Sequence, residues 1–252
     1  MQRKFWLLAL VSAVLLNIGS ALADDGFYVV AVGGGVGTKI SSLPYTITQP
    51  GFYYLTKDLA TTGNGIVVRT DNVTLDLMGF SLVYSGTTAD IDGIYLAEWP
   101  GRKNVEIRNG TVRGFSGRGI AEEGLGSNNR FLNLRVEYNT SFGISMGGIQ
   151  NLFKNCHVSN NGGGISSGGS AMVVGNMVCN NGSVGWSAIQ VLGGCIIGNV
   201  VNNNQTVGIK LMGSANFLMD QNSAFANKDG VDYSKEDLVG KCAWGANGGY
   251  TP

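Results

Sequence analysis

A Gly-Ile pair returns along most of this chain at a nearly constant interval, and such a repeat limits the chain to folds in which one small unit is stacked on the next. The pair stands at Gly65-Ile66, Gly93-Ile94, Gly119-Ile120, Gly143-Ile144, Gly164-Ile165 and Gly208-Ile209, with Ala188-Ile189 filling the one gap and Gly230-Val231 closing the series. Successive pairs are 28, 26, 24, 21, 24, 20 and 22 residues apart. A second marker keeps step with the first: Asn109, Asn133, Asn155, Asn176, Asn199 and Asn222, with Gly79 in the equivalent place of the first repeat.

Units this short, and this rich in Gly and Asn, have no room for the paired helices of a helical solenoid. Around each marker Asn the apolar residues alternate, as half-buried strands require. Leu75/Leu77, Val105/Ile107, Met172/Val174 and Cys195/Ile197 precede the marker, and Val112, Val136, Val158, Cys179 and Phe225 follow it. The pattern predicts two or three short strands per coil, with these residues pointing into a shared interior. Gly and Asn take the corners, where a positive φ or a side-chain-to-backbone bond is needed. Coils one strand spacing apart (~4.8 Å) would stack the six marker asparagines as a hydrogen-bonded ladder at a buried corner. Asn129, Asn151, Asn202 and Asp220 interrupt the alternation and mark expected bulges or turn starts.

In these features residues 65–233 resemble the right-handed parallel β-helix proteins of the pectate-lyase-like superfamily, whose coils are about this long and carry an inward Asn ladder at one bend. The resemblance implies an all-β fold, a right-handed parallel β-helix solenoid of about seven to eight coils with N- and C-terminal caps. Residues 24–64 are the expected N-terminal cap, with two short strands around Pro50-Gly51. Residues 234–252 are the expected C-terminal cap or tail, with a short helix starting at Ser234. A Gly-rich run, residues 32–37, lacks the Gly-Lys-Ser/Thr ending of a phosphate loop and reads as a flexible corner.

Residues 1–23 have a basic start (Arg3, Lys4), an apolar run and a small-residue ending Ala21-Leu22-Ala23, the pattern of a secretory signal peptide cleaved before Asp24. The expectation is a secreted or periplasmic protein with no membrane span after cleavage. Removing Arg3 and Lys4 from the 17 basic residues leaves 15 against 17 acidic ones, a net charge of −2, which is not the balance of a nucleic-acid binder. Cys156, Cys179, Cys195 and Cys242 are even in number. However, Cys156 and Cys179 fall out of register in adjacent coils, and Cys179 and Cys195 read as small core hydrophobes. With one His and no paired-Cys spacing, neither a metal nor a cofactor site is expected.

The resemblance raises the prospect of polysaccharide chemistry, since β-helix enzymes of that superfamily act on acidic or neutral polysaccharides. The Gly-His-Gly of polygalacturonases and their paired-Asp element are both absent here. His157, the single His, has no acidic neighbour to complete the motif of the alginate epimerases and reads as a surface residue. What stands out is charge. Seven of the 15 basic residues after the signal segment, together with Glu98, Glu106, Glu122, Glu123 and Glu137, lie within residues 98–137. Counting from the markers puts Asp76, Glu106 and Arg130 in one outward column, Arg108 and Lys154 in another, and Arg113 and Glu137 in a third. Asp76 and Glu106 at such spacing, with Arg130 beside them, have the separation of a retaining glycosidase pair. A solvated ladder of alternating charge has the same pattern. The two longest coils place loops at residues 84–92 and 97–103. An exposed Trp99 beside Arg102 and Lys103 suits stacking on a sugar ring while binding an acidic group.

The candidate ligand-binding set is therefore Tyr95, Trp99, Arg102, Arg108, Arg113 and Arg130, and the candidate catalytic set is Asp76, Glu106 and Arg130. The reading is of a secreted or periplasmic β-helix binding a polysaccharide or cell-surface polymer. The alternatives are a polysaccharide lyase or glycoside hydrolase of this fold, or a purely structural surface or assembly protein. The oligomeric state is not legible in the sequence.

Overall fold

The seven isoleucines of the Gly-Ile series form one continuous interior column. Ile66, Ile94, Ile120, Ile144, Ile165, Ile189 and Ile209 pair in register strand to strand, and each is fully buried. From Gly65 to Gly164 the glycine before the Ile is required for packing: a Cβ on Gly119 would stand 2.5 Å from Val136 and 2.6 Å from the Gly143 carbonyl of the next coil. All strand pairing among the described residues is parallel, and the computed structural model is a right-handed β-helix of about 8 turns.

The structure describes residues 37–97, 99–182, 186–213, 216–228, 233–236 and 242–246, with only the backbone for 233–236 and 242–244. All belong to one compact unit that begins at Gly37. The signal segment, most of the Gly-rich run at 32–37, Glu98, Gly230-Val231 and the end of the tail lie outside the described residues.

Each coil has three faces. The Ile face is a 9-stranded sheet running from Tyr45–Ile47 through Ile94–Leu96, Ile120–Glu122 and Phe142–Met146 to Tyr233–Glu236. The second face runs from Thr38–Ile40 through Val73–Asp76, Leu152–Lys154, Ala171–Val174, Gly194–Ile197 and Phe217–Asp220 to Cys242–Trp244. The third holds Leu59–Thr61, Ser81–Tyr84, His157–Ser159, Met177–Cys179, Val200–Asn202 and Ser223–Phe225. Two long strands, Glu106–Arg113 and Arg130–Glu137, run through the bend and join the second and third faces into one sheet.

Within the two expected caps, the described residues continue the coil pairing. Parallel pairing begins at Thr38, and Tyr45, Tyr53 and Leu59 stack under Ile66, Leu75 and Leu82. Instead of starting a helix, Ser234 lies in a strand paired to Ile209–Met212, and Cys242–Trp244 adds another to the second face.

The marker asparagines divide into two columns one residue apart. Lys154 pairs with Val174 and His157 with Met177, so Asn155 is level with Gly175, and Asn176 with Cys156. Asn109, Asn133 and Asn155 occupy the left-handed backbone position of the bend, with φ of 56°, 54° and 55°, in line with Gly175, Gly198 and Gln221. Asn is among the few non-Gly residues that tolerate that region. The inward ladder belongs to Asn176, Asn199 and Asn222: the Cys156 N–H donates to Asn176 Oδ1 at 2.9 Å, Asn176 N–H to Asn199 at 2.9 Å, and Asn199 N–H to Asn222 at 3.0 Å.

A longer ladder, unforeseen in the sequence, stands at the corner leading back to the Ile face. Phe115 N–H donates to Asn139 Oδ1, and the chain continues through Asn161, Asn181, Asn204 and Asn227 at 2.9 to 3.2 Å. Asn129 and Asn151, each at the end of a corner directly before a strand and not at a bulge or turn start, make a third short ladder. Asn202 and Asp220 cause no bulge and end their strands in register. The same one-residue offset turns Met172, Val174, Cys195, Ile197 and Phe225 outward, while Ala171, Val173, Ile196 and Val178 fill the core and Cys179 stays buried.

The two asparagine environments should separate in a stability measurement. Asn181 is 0% exposed; its oxygen accepts from Asn161, and its amide donates to Val158, Cys179 and Asn204. Asn181→Ala should cost ~1–3 kcal/mol because it strands buried backbone groups. Asn155→Gly, at an exposed left-handed position, should change stability by less than about 0.5 kcal/mol. Urea unfolding of the two variants checks this, and equal losses would refute the assignment of columns.

Candidate functional site

The bend between the second and third faces gathers charge because its strands are in register. Thr74, Glu106, Arg130 and Leu152 form one outward row, and Asp76, Arg108, Leu132 and Lys154 form the next. Asp76 thus lies two positions along from the column expected for it, level with Arg108 and not with Glu106. The corner after Val73–Asp76 is the reason: five steps separate Asp76 from Ser81, but three separate Arg108 from Thr111, with which Ser81 pairs.

The side chains close into a network. Arg108 Nε donates to Asp76 Oδ2 at 2.7 Å and its Nη1 to Glu106 Oε1 at 2.8 Å, while Arg130 Nε reaches Glu106 Oε2 at 2.9 Å. Asp76 Oδ1 accepts the Met78 N–H at 2.8 Å, and Asn109 Nδ2 donates to Oδ2 at 3.1 Å. Both carboxylates are buried. Partial burial works against the Arg108 charge, but the bonds to Asp76 and Glu106 outweigh it and hold the guanidinium above its ordinary range. Every oxygen of the two carboxylates already accepts a hydrogen bond, so in this arrangement they clamp two guanidinium groups.

Beside the network the outer surface folds into an open groove of about 440 Å³ along the solenoid. Its floor is the outer Asn column: Asn109, Asn133 and Asn155 from three successive coils, with Asn133 Nδ2 donating to Asn109 Oδ1 at 3.2 Å. Its far wall is Thr111, Arg135 and His157, which pair in register on adjacent strands. Among the described residues Arg135 and Lys154 have no carboxylate within ion-pair distance. The sequence carried a signal for this wall, since Thr111, Arg135 and His157 each fall two residues after an outer-column Asn.

The expected ligand-binding residues are spread over the coil. Arg108 and Arg130 meet in the network. Tyr95 is half-buried on the Ile face, where burial pushes its hydroxyl pKa up, followed by the effect of Glu123. Trp99 is 73% exposed in the following loop. Arg102 Nη1 donates to the Arg69 carbonyl at 3.2 Å. Arg113 ends its strand on the third face, paired with Glu137 and Val83.

Glu122 is a group whose place the sequence did not reveal. It continues the inward column of Val68, Leu96 and Met146 and is 2% exposed. Its Oε1 accepts the Arg102 N–H at 2.8 Å, and the Gly148 N–H also stabilises its charge. Oε2 is buried with no partner among the described residues. Burial therefore pushes this carboxyl up from 4.5 to about 7, against the pull of the two N–H groups and the Arg102 charge.

No protein-family model matches the sequence, and no curated protein is similar to it. Solved structures do share the fold. A periplasmic alginate epimerase, AlgG, superposes with a TM-score of 0.54 at 15% identity over 78% of this chain, which spans 59% of that one. The A-module of the Azotobacter vinelandii mannuronan C-5 epimerase AlgE4 gives 0.50 at 13% identity, over 79% of this chain and 86% of that one. At such identities the likeness is one of fold.

Glu122 makes stability depend on pH in a defined sense. Its pKa is raised on folding, so its contribution is fully present below about pH 4.5 and is lost as pH rises through about 7. Glu122→Gln should therefore melt higher than the parent at pH 8, by about 2–4 °C for each kcal/mol recovered, and nearly with it at pH 5. Melting curves at the two pH values check this; an equal difference at both would mean that the carboxyl does not titrate in this range.

Proposed function

We propose that this chain is a polysaccharide-binding β-helix working outside the cytoplasm, and that an acidic glycan lies along the groove of Asn109, Asn133, Asn155, Arg135 and His157. The groove carries the reading. Successive coils repeat every ~4.8 Å, close to the advance of one sugar ring in an extended chain, so the groove can offer each ring an equivalent carboxamide. Carboxamides donate to and accept from hydroxyls, while Arg135 in the far wall has charge to spare for carboxylates. The shared fold with two epimerases named for alginate and mannuronan, both uronate polymers, supports the same substrate class. The expected signal peptide fits work outside the cytoplasm.

A second reading, carbohydrate-modifying catalysis, is favoured by one observation: His157 and Arg135 are in-register neighbours in the groove. The His157 side chain there could take the proton α to a uronate carboxylate that Arg135 neutralises, the first step of both epimerisation and β-elimination. For hydrolysis by Asp76 and Glu106 no observation speaks, because both are committed to Arg108 and Arg130.

Affinity electrophoresis in alginate gels tests the binding. Arg135→Ala should weaken retardation about tenfold at low salt and less at high salt, where exposed charges are screened. Asn155→Gly should weaken it at either salt concentration. If Trp99→Ala abolishes binding while the groove variants do not, the loop beyond Ile94–Leu96 carries the ligand. If no variant changes binding to any acidic glycan, the groove reading fails. Unsaturated product or an altered uronate ratio, lost in His157→Ala, would establish the catalytic reading.

A further inference from the structure

The outer surface of the second face changes character midway along the solenoid. In the early coils its two outward rows hold Glu106 and Arg130, Asp76 and Arg108. From Leu152–Lys154 onward the first row reads Leu152, Met172, Cys195 and Leu218, and the second Lys154, Val174, Ile197 and Asp220. Met172 is 48% and Leu218 38% exposed. The inward residues of these strands, among them Ala171, Val173, Ile196 and Met219, are buried in the core. The strands are thus apolar on both sides, the pattern of parallel strands covered on both faces, yet nothing in the chain's described residues covers the outer side.

The row order names the occupant. We infer that a second copy of this chain packs on the face, related by a two-fold axis parallel to the strands and midway between Ala171–Val174 and Gly194–Ile197. That operation keeps each row opposite itself and reverses the coil order. Leu152 then faces Leu218 of the second copy, Met172 faces Cys195, Val174 faces Ile197, and Lys154 faces Asp220. The symmetry makes every contact twice, as an isologous interface requires. Lys154 has no carboxylate partner among the described residues. Asp220 accepts the Ala246 N–H at 2.9 Å through Oδ1, but Oδ2 has only a 3.5 Å contact with Gln221. A two-fold axis along the solenoid would instead set Lys154 against Leu152 and Asp220 against Leu218, burying four charges without partners. Charge complementarity therefore selects the first arrangement, with the two sheets ~10 Å apart. In it Glu106–Arg113 and the earlier strands extend past the partner's last described strand. The inference stands independently of the polysaccharide reading.

Sedimentation velocity of the purified chain, from sub-micromolar to tens of micromolar, tests it, with circular-dichroism melting of every variant as the control for folding. The parent should sediment as a dimer at the upper concentrations. Met172→Glu should be monomeric with an unchanged melt, because its side chain points outward. Lys154→Asp and Asp220→Lys should each raise the dissociation constant tenfold or more, and the two together should restore it to within a few-fold of the parent. A parent that is monomeric throughout, a trimer, a dimer indifferent to Met172→Glu, or single charge variants that the double does not rescue would each overturn the proposal.

Discussion

A polypeptide that turns three corners in every coil buries backbone N–H groups that no strand can satisfy, and the rest of this molecule depends on how that is solved. The solution is the buried carboxamide. At the corner leading to the Ile face, each of Asn139, Asn161, Asn181 and Asn204 donates its own N–H to the Asn of the next coil and accepts from the coil before. The side-chain amides then cover corner carbonyls such as Val136, Val158 and Val178. A buried polar group is tolerated only when its bonds are made. Each rung therefore requires the next, which holds the coils at one rise and brings Ile over Ile and Val over Val. The aliphatic columns follow from the ladders as much as they support them, in the nearest-neighbour manner of solenoids.

The Ile column could be read from the sequence because two demands coincide there: the Ile fills the core, and from Gly65 to Gly164 the residue before it has no space for a Cβ. The ladder could not be read correctly, for a reason local to the bend. Two adjacent positions both favour Asn, one because its backbone is left-handed, the other because its carboxamide bridges coils. Asn109, Asn133 and Asn155 answer the first demand, and Asn176, Asn199 and Asn222 the second, so a count from Asn155 to Asn176 slips by one residue. In a strand that slip exchanges the two faces. The slip leaves no trace in the pattern, because Met172, Val174, Cys195 and Ile197 are apolar on the outer side too. The ladder of Asn139 to Asn227 was hidden among other Asn and Gly of the turns.

Of the site, the concentration of charge was legible and its geometry only partly so. Two extra residues in the corner after Asp76 moved it from beside Glu106 to beside Arg108, converting an imagined pair of facing carboxylates into a network in which each acid holds arginine. Tyr95, Trp99 and Arg102 share their coils with Arg108 and Arg113 but not their faces, because a stretch of some twenty residues passes around the whole solenoid. Glu122 looked like one more solvated acid. It lies in the core because it occupies the Leu96 and Met146 column, a fact that only the register reveals.

That division between inward and outward residues governs how such a chain can carry function. The inward rows are constrained by stacking: Ile must follow Ile, and Asn must follow Asn. The outward rows answer to no neighbour inside the coil, so they can differ from one stretch of the solenoid to another without disturbing the fold. Here they change over at Arg130 and Leu152, members of one row in adjacent coils. Before that point the row is charged and borders a groove floored with carboxamides; after it the row is apolar and flat. A polar groove suits a hydrated ligand that binds and leaves, since its groups lose little by returning to water. A flat apolar face gains only by staying covered, and gains most when the covering surface repeats its own spacing, which another copy of the same coils does at every strand.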